Sequence, residues 1–493
     1  PALKRKLEQV IGKIEEVQIQ AKRIRLQSEI WLSAPATEIE TEKGRYVKER
    51  GTILNFPFQL TEMTRRSSPG KFNSPPDPEL SEAKLQEYFI SECKTFQTFD
   101  NSKLEVQDSL SIPLLATRKP DFVFIAKGDP LNALHVVAVG EIRKRSGVEF
   151  ANADVGHAVS FGEKVLQLQP RRTFVYVVLT DCRVICIYKV TRCDAITNDN
   201  IRFSYQFIPM QKLTYDAKDT PSRGWKYLVT ITECSKKQLG WIDPSLFFGS
   251  ETVRLIRPIS TGRTSIVYLG KRNEKETVVV KIAKSEDYLP CFIREKSVLE
   301  TFSSLNSPHL QTLLLDDNGI LVTTPYCEKV TNLRKEDIRN IINTLKVVHS
   351  QYNLVHMDLR KYNFLRNDNG DIVIIDWGYS VTKGQTRNFA GALECMPDDV
   401  LTSLVNWKQP FYSPKIDLIC LARAFYLMLH KPARTIVERI SSDRIPDFRS
   451  RAQNILDFWE SNAKSGLWNR IFQLAEDLNY DGLIEALEIF FRS

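Results

Sequence analysis

The spacing of three polar residues constrains this chain more than anything else in it. In "LVHMDLRKYNFL" the acid Asp358 precedes the amide Asn363 by five positions, and "DIVIID" then delivers a second acid, Asp376, eighteen positions after the first (376 − 358). An apolar run of that length reads as a short buried strand. Any fold the chain adopts must therefore return the loop before the strand and the residue after it to one place. An acid that orients a hydroxyl, with two oxygen ligands for a divalent cation, is a donor set suited to phosphoryl transfer.

The same chemistry needs a cation on the phosphates. "TVVVKIAK" offers Lys281 on a strand pattern, and Glu295 in "FIREKSVLE" follows fourteen residues later (295 − 281) on a helical pattern as its ion-pair partner. "STGRTSIVY" carries Gly262, and "LVTTPYCE" carries Thr323, Pro325 and Tyr326. From about 251 to 493 these segments resemble the eukaryotic protein kinase family. The resemblance implies a bilobal α+β domain that uses ATP and Mg²⁺ on a protein substrate, with Ser/Thr hydroxyls favoured over Tyr. It implies Asp358 as catalytic base and Arg360 on the γ-phosphate, where many relatives use Lys. Lys281 would hold the α/β-phosphates, paired to Glu295, and Asn363 and Asp376 would be the Mg²⁺ ligands. Gly262 would line the phosphates, Thr323 would gate the adenine pocket, and Tyr326 would flank the hinge. Asp417 in "SPKIDLICL" would be the structural acid of the following helix.

Three departures matter. Only Gly262 matches the three-glycine phosphate loop, with Ser260 and Ser265 in the flanking slots. Met357 stands where the family has an Arg that pairs a phosphorylated activation loop, so that switch is not expected here. Ala392 and "MPD" are unusual around the substrate-docking loop.

Residues 81–245 run helix, three strands, helix, two strands, an α/β order. Pro120 and Asp121 in "KPDF" are followed twenty positions on (141 − 121) by Glu141 and then Arg143. Side chains at i and i+2 of a strand share a face, so Glu141 and Arg143 are both expected toward Asp121. This resembles the PD-(D/E)xK nuclease fold, in which Asp121 and Glu141 would hold a metal, and Glu87 on the preceding helix is a candidate further acid. Arg143 replaces a lysine and cannot serve as a base, but it can stabilise phosphorane charge. A plain α/β domain with charged strand ends is the alternative.

A nuclease-like domain followed by a kinase resembles one architecture of the Crinkler effectors. That resemblance implies secretion, action in a host nucleus in virulence or symbiosis, and DNA contact by the first domain. Two other readings stay open: a binding effector whose kinase domain is a pseudokinase, and a DNA endonuclease regulated by its kinase domain.

Residues 1–32 carry apolar residues at alternating steps of four and three (Leu3, Leu7, Val10, Ile14, Val17). A helix packed on its own protein, or a coiled coil with a partner or second copy, explains this spacing equally well. Residues 33–80 read as a linker or loop, with the proline-rich stretch from 60 to 80. With 42% hydrophobic and 26% charged residues the chain reads as globular. No apolar run approaches the roughly 20 residues that span a bilayer, so no membrane partner is expected. A net charge of +8 permits nucleic-acid contact without demanding it. The nine cysteines form no C-x-x-C and no zinc spacing, which suggests free thiols in a reducing, intracellular environment. The chain starts at Pro1 rather than Met, which leaves a removed leader or translocation header open.

Overall fold

The computed structural model describes residues 36–62, 77, 80–97, 101–193, 203–215, 221–384, 391, 393–441, 447–462 and 466–491. The heptad pattern of 1–32, part of the 33–80 stretch, and Ala392 lie outside them. The chain divides into two units, one comprising 34–246 with 254–261 and the other 247–253 with 262–493. Among the described residues no helix is long and apolar enough to cross a membrane.

The first unit runs α1 (Ala36–Arg50), β1 (Thr52–Ile53), α2 (Glu82–Gln97), β2 (Leu104–Asp108), β3 (Phe122–Ala126), β4 (Ala138–Ile142), α3 (Asn152–Leu168), β5 (Phe174–Thr180), β6 (Val184–Arg192), β7 (Phe203–Lys212) and α4 (Arg223–Glu233). Its seven-stranded sheet has the order β1-β7-β6-β5-β4-β3-β2. β4 and β5 pair in parallel because α3 carries the chain back between them. Aromatic side chains of Phe89, Phe122, Phe124, Tyr176 and Trp225 fill one core.

The linker expected over 33–80 gives way to structure at its start. α1 buries Val47 and crosses α3 so closely that a Cβ on Gly156 would lie 1.8 Å from the Glu40 carbonyl oxygen. Only glycine permits that approach. Lys43 Nζ secures the crossing at 2.6 Å from Glu163. β2 stops at Asp108, whose Oδ1 accepts the amide of Leu110 (3.0 Å) in an Asx turn.

Arg172, 1% exposed, stitches the unit together. Its guanidinium donates to the carbonyls of Phe174 (2.7 Å), Val136 (2.8 Å) and Leu239 (2.8 Å), among others. Arg172→Met would leave several of these acceptors buried without a donor. The expected loss is at least about 3 kcal/mol, read as a lower urea midpoint for the first unit's transition.

The chain continues through β8 (Ser245–Phe248), β9 (Glu251–Thr261), β10 (Ser265–Arg272), β11 (Glu276–Ala283), α5 (Leu289–Phe302), β12 (Thr312–Asp317), β13 (Ile320–Thr324), β14 (Cys327–Lys329) and α6 (Lys335–Gln351). It then runs β15 (Leu354–Val355), β16 (Phe364–Asn367), β17 (Ile372–Ile374), β18 (Val381–Thr382), α7 (Asp398–Val405), α8 (Pro414–Leu429), α9 (Lys431–Ile440), α10 (Phe448–Asn462), α11 (Gly466–Glu476) and α12 (Tyr480–Glu488). The second unit is thus rich in sheet at its start and helical afterwards. β10, β11, β13 and β12 are antiparallel neighbours in that order. Helix α8 is apolar nearly all round and buried accordingly. With Ile341, Leu345, Phe364 and Ile374 it forms the helical core.

Candidate active site

Alternation along β11 buries Val278 and Val280 on one side and presents Lys281 on the other. α5, opened by Pro290 near its N-terminus, brings Glu295 to meet it. Lys281 Nζ lies 2.5 Å from Glu295 Oε2 and 2.6 Å from Asp376 Oδ1. Burial alone would strip the ammonium, but the two carboxylates outweigh it and hold the Lys281 pKa above its ordinary value. Burial likewise disfavours charge on Asp376, yet Lys281 prevails and the net shift there is downward.

The expected "DIVIID" strand is β17, buried throughout and paired with β16 in the register Phe364↔Ile374. That hairpin sets Asn363 beside the chain leading to Asp376, with the Ile375 amide donating to the Asn363 carbonyl at 3.1 Å. Asn363 Nδ2 donates to Asp358 Oδ2 (3.0 Å) and to the Asp358 carbonyl (2.7 Å). Arg360 Nε faces Asp358 Oδ1 at 3.2 Å, and its Nη1 reaches Glu394 at 3.4 Å. The Nε contact lacks hydrogen-bond alignment, so Asp358 Oδ1 is buried with no hydrogen bond. Burial, moderated by Arg360, pushes the Asp358 carboxyl up to about 7.

The backbone around this acid hangs from α8. Asp417, fully buried, accepts the amides of His356 (2.6 Å) and Met357 (2.9 Å) and the ring of His349 (2.9 Å). Met357 is itself buried with φ +73°, so the position expected to carry a loop-pairing Arg instead packs in the core. Trp377, also buried, lies with its ring centroid 4.4 Å from that of His356 and 4.8 Å from that of Phe302. In "MPD", Asp398 pairs with Arg423 at 2.5 Å.

Thr323, one residue before the end of β13, is buried, and its hydroxyl accepts from Gln311 at 3.1 Å. Tyr326 follows Pro325, half-buried. The Gly262 amide donates to the Ser265 carbonyl (2.9 Å), and a Cβ at 262 would meet nothing nearer than 3.7 Å. Nothing in the turn itself therefore demands glycine there. Of the second-unit residues singled out from sequence, Lys281, Glu295, Asp358, Arg360, Asn363 and Asp376 form one linked cluster.

The first unit gathers a different cluster. Glu141, 2% exposed, lies one residue before the end of β4 and pairs through Oε1 with Arg143 Nη2 at 2.7 Å. Its Oε2 is buried without a hydrogen bond. Asp121 Oδ2 accepts the Ile142 amide at 2.7 Å. Burial, and then the neighbouring Glu141 charge, push the Asp121 carboxyl up to about 7. Asp121, Glu141 and Arg143 thus share one neighbourhood.

Three members of this cluster escaped the sequence reading. His157 Nε2 lies 3.4 Å from Glu141, its Nδ1 lies 2.9 Å from Glu40, and Glu82 lies 3.6 Å from Arg143. Glu87, the candidate further acid, is exposed on α2 and does not share in these contacts. Glu82 carries a usable signal, since it opens the helix preceding β2, whereas Glu40 and His157 carry none. Among the described residues no three His, Cys, Asp or Glu side chains are grouped as a metal shell. No third His, Cys, Asp or Glu side chain among the described residues joins Asp121 and Glu141 in such a shell. The Asn363–Asp376 pair suits a chemistry in which phosphate oxygens complete the shell.

Residues 82–172 match a family model described as a domain of unknown function (DUF6826). Residues 253–478 match the model of the protein kinase domain. The chain is also 29% identical over 189 residues to NUAK family SNF1-like kinase 2 of Rattus norvegicus. That alignment takes in 33% of this chain and only 28% of the relative's length. The ion-paired lysine, the loop acid with its amide partner, and the family match over the same residues lead to one conclusion: the chain carries a protein kinase domain at 253–478.

Proposed function

We propose that the second unit is an active protein kinase that uses ATP with Mg²⁺ to phosphorylate Ser/Thr hydroxyls on a protein. The buried Asp358 Oδ1, left without a hydrogen bond, carries this reading, because an incoming hydroxyl would be its missing donor. Asp358 would accept the hydroxyl proton, and Arg360 would hold the γ-phosphate beside it. Lys281 would bind the α/β-phosphates, with Gly262 beside them. Asn363 and Asp376 are the residues that would hold Mg²⁺, whose contribution is to offset phosphate charge. Thr323 and Tyr326 would border the adenine. Incubating the chain with radiolabelled ATP and Mg²⁺ or Mn²⁺ tests this. Label on the chain or on a generic protein, lost in the Asp358 and Lys281 variants, supports it. No label with either metal sinks it and leaves the pseudokinase alternative.

With Met357 buried, no arginine at that position pairs a phosphorylated activation loop. Phosphatase-treated enzyme is therefore expected to keep its initial rate within about twofold, where a kinase that needs this switch would lose most of its activity. Initial rates before and after treatment check this.

We further propose that the first unit is a PD-(D/E)xK-like domain that contacts DNA. The convergence of Asp121, Glu141 and Arg143 at neighbouring strand ends supports this reading. Arg143 cannot act as a base, so binding is favoured over cleavage. Plasmid mixed with the chain and Mg²⁺ should shift in a salt-dependent way without nicking. Nicking abolished by Glu141→Ala would instead establish an endonuclease. The pairing of such a domain with a kinase supports a secreted, Crinkler-like effector acting in a host nucleus. A fluorescent fusion that stays outside host nuclei would count against it. A coiled coil through 1–32 is tested by comparing the mass in solution with and without that segment.

A further inference from the structure

The phosphate loop between β9 and β10 holds one glycine, and side chains at Ser260 and Ser265 narrow the backbone's approach to a phosphate. We infer that Arg263, at the tip of this loop, makes up the deficit by binding the terminal phosphate of the nucleotide with its own guanidinium. This rests on the kinase reading above.

The register of β10 against β11 pairs Val267 with Lys281 and Ser265 with Ala283. The turn at 262–264 therefore continues past Lys281 along the same hairpin. That turn is pinned. The Gly262 amide donates to the Ser265 carbonyl (2.9 Å), the Lys284 amide to the Thr264 carbonyl (3.0 Å), and Lys284 Nζ to the Gly262 carbonyl (2.5 Å). The pinned turn leaves Arg263 exposed, and among the described residues no hydrogen bond or ion pair engages it.

Its charge is nevertheless felt beside the site. The hydroxyl of Tyr379, three residues after Asp376, feels the Arg263 cation together with the carboxylates of Asp376 and Asp358. An uncommitted guanidinium thus sits on a turn just past Lys281 on the same hairpin, within electrostatic reach of the residue that also feels Asp376 and Asp358. The planar fork of arginine suits a phosphate's oxygens, which lysine meets only as a point charge. A side chain reaching in from the tip does not require the backbone to come close. That would relieve the loop of its usual need for three glycines.

Calorimetric titration of the full chain with adenosine, ADP and ATP, each with Mg²⁺, tests the assignment. Arg263→Ala is expected to weaken ATP binding about tenfold, the worth of one charge-assisted contact, and to leave adenosine binding unchanged. Arg263→Lys should recover part of the loss. ATP affinity unchanged in Arg263→Ala overturns the inference. An equal loss for adenosine also overturns it, because that marks a structural role. Wild-type chain that shows the expected ATP dependence but labels no protein would keep the inference and sink the activity reading instead.

Discussion

Lys281→Ala is expected to abolish phosphoryl transfer and also to loosen the second unit. The ammonium sits between Glu295 Oε2 (2.5 Å) and Asp376 Oδ1 (2.6 Å), with Glu295 only 3% exposed. Alanine leaves two acids facing each other across the vacated space. Removing one partner of a buried pair costs roughly 3–5 kcal/mol because the remaining charge is uncompensated. Part of that cost will be relieved when Glu295, buried on α5, takes up a proton. The destabilisation should therefore shrink as pH falls, which a denaturant series at several pH values would show. A thermal midpoint equal to wild type at pH 8 would mean that the triad is not a buried ionic unit.

Asp358→Asn is expected to be the complementary variant, folded but catalytically poor. Asparagine keeps the size of the side chain and loses the capacity to take a proton. Rates should fall by roughly 10²–10⁴, the usual worth of a positioned general base, while nucleotide affinity stays near wild type. In the wild type, burial keeps the carboxyl protonated below about pH 7, so kcat/KM should rise through that pH and then level. For stability the sign is opposite. The folded-state value lies above the ordinary range of an aspartate carboxyl, so this group stabilises at low pH and loses that contribution as pH climbs through about 7. A kcat/KM profile flat from pH 5.5 to 8.5 would remove Asp358 from the role of base.

The kinase cluster was legible in the sequence because most of it is local. Asp358, Asn363 and Asp376 belong to one loop and one hairpin, so their intervals are set by strand geometry alone. Lys281 and Glu295 are fourteen positions apart on adjacent elements. The first unit's cluster was legible only where it too was local, at Glu141 and Arg143. Glu40 and His157 are 117 positions apart, and they meet only because Gly44 and Gly156 let α1 press against α3. Nothing in the stretch around Glu40 announces that crossing, since an amphipathic helix and a polar linker share much of their composition there. Asp417 sat between these extremes: its position before an apolar helix was visible, but not the three donors it collects.

The tether from Asp417 also bears on where this domain ends. His349, which touches Asp417 through one ring nitrogen, meets the hydroxyl of Tyr480 through the other at 2.8 Å. Glu488, farther along α12, takes Lys335 (3.1 Å) and Arg339 (2.7 Å) from the start of α6. The kinase family match stops at 478, short of Tyr480 and Glu488 and so of the contacts they make with α6. A fragment cut at that boundary would carry every motif residue and still lack the brace behind the loop that bears Asp358. The functional unit is longer than its signature.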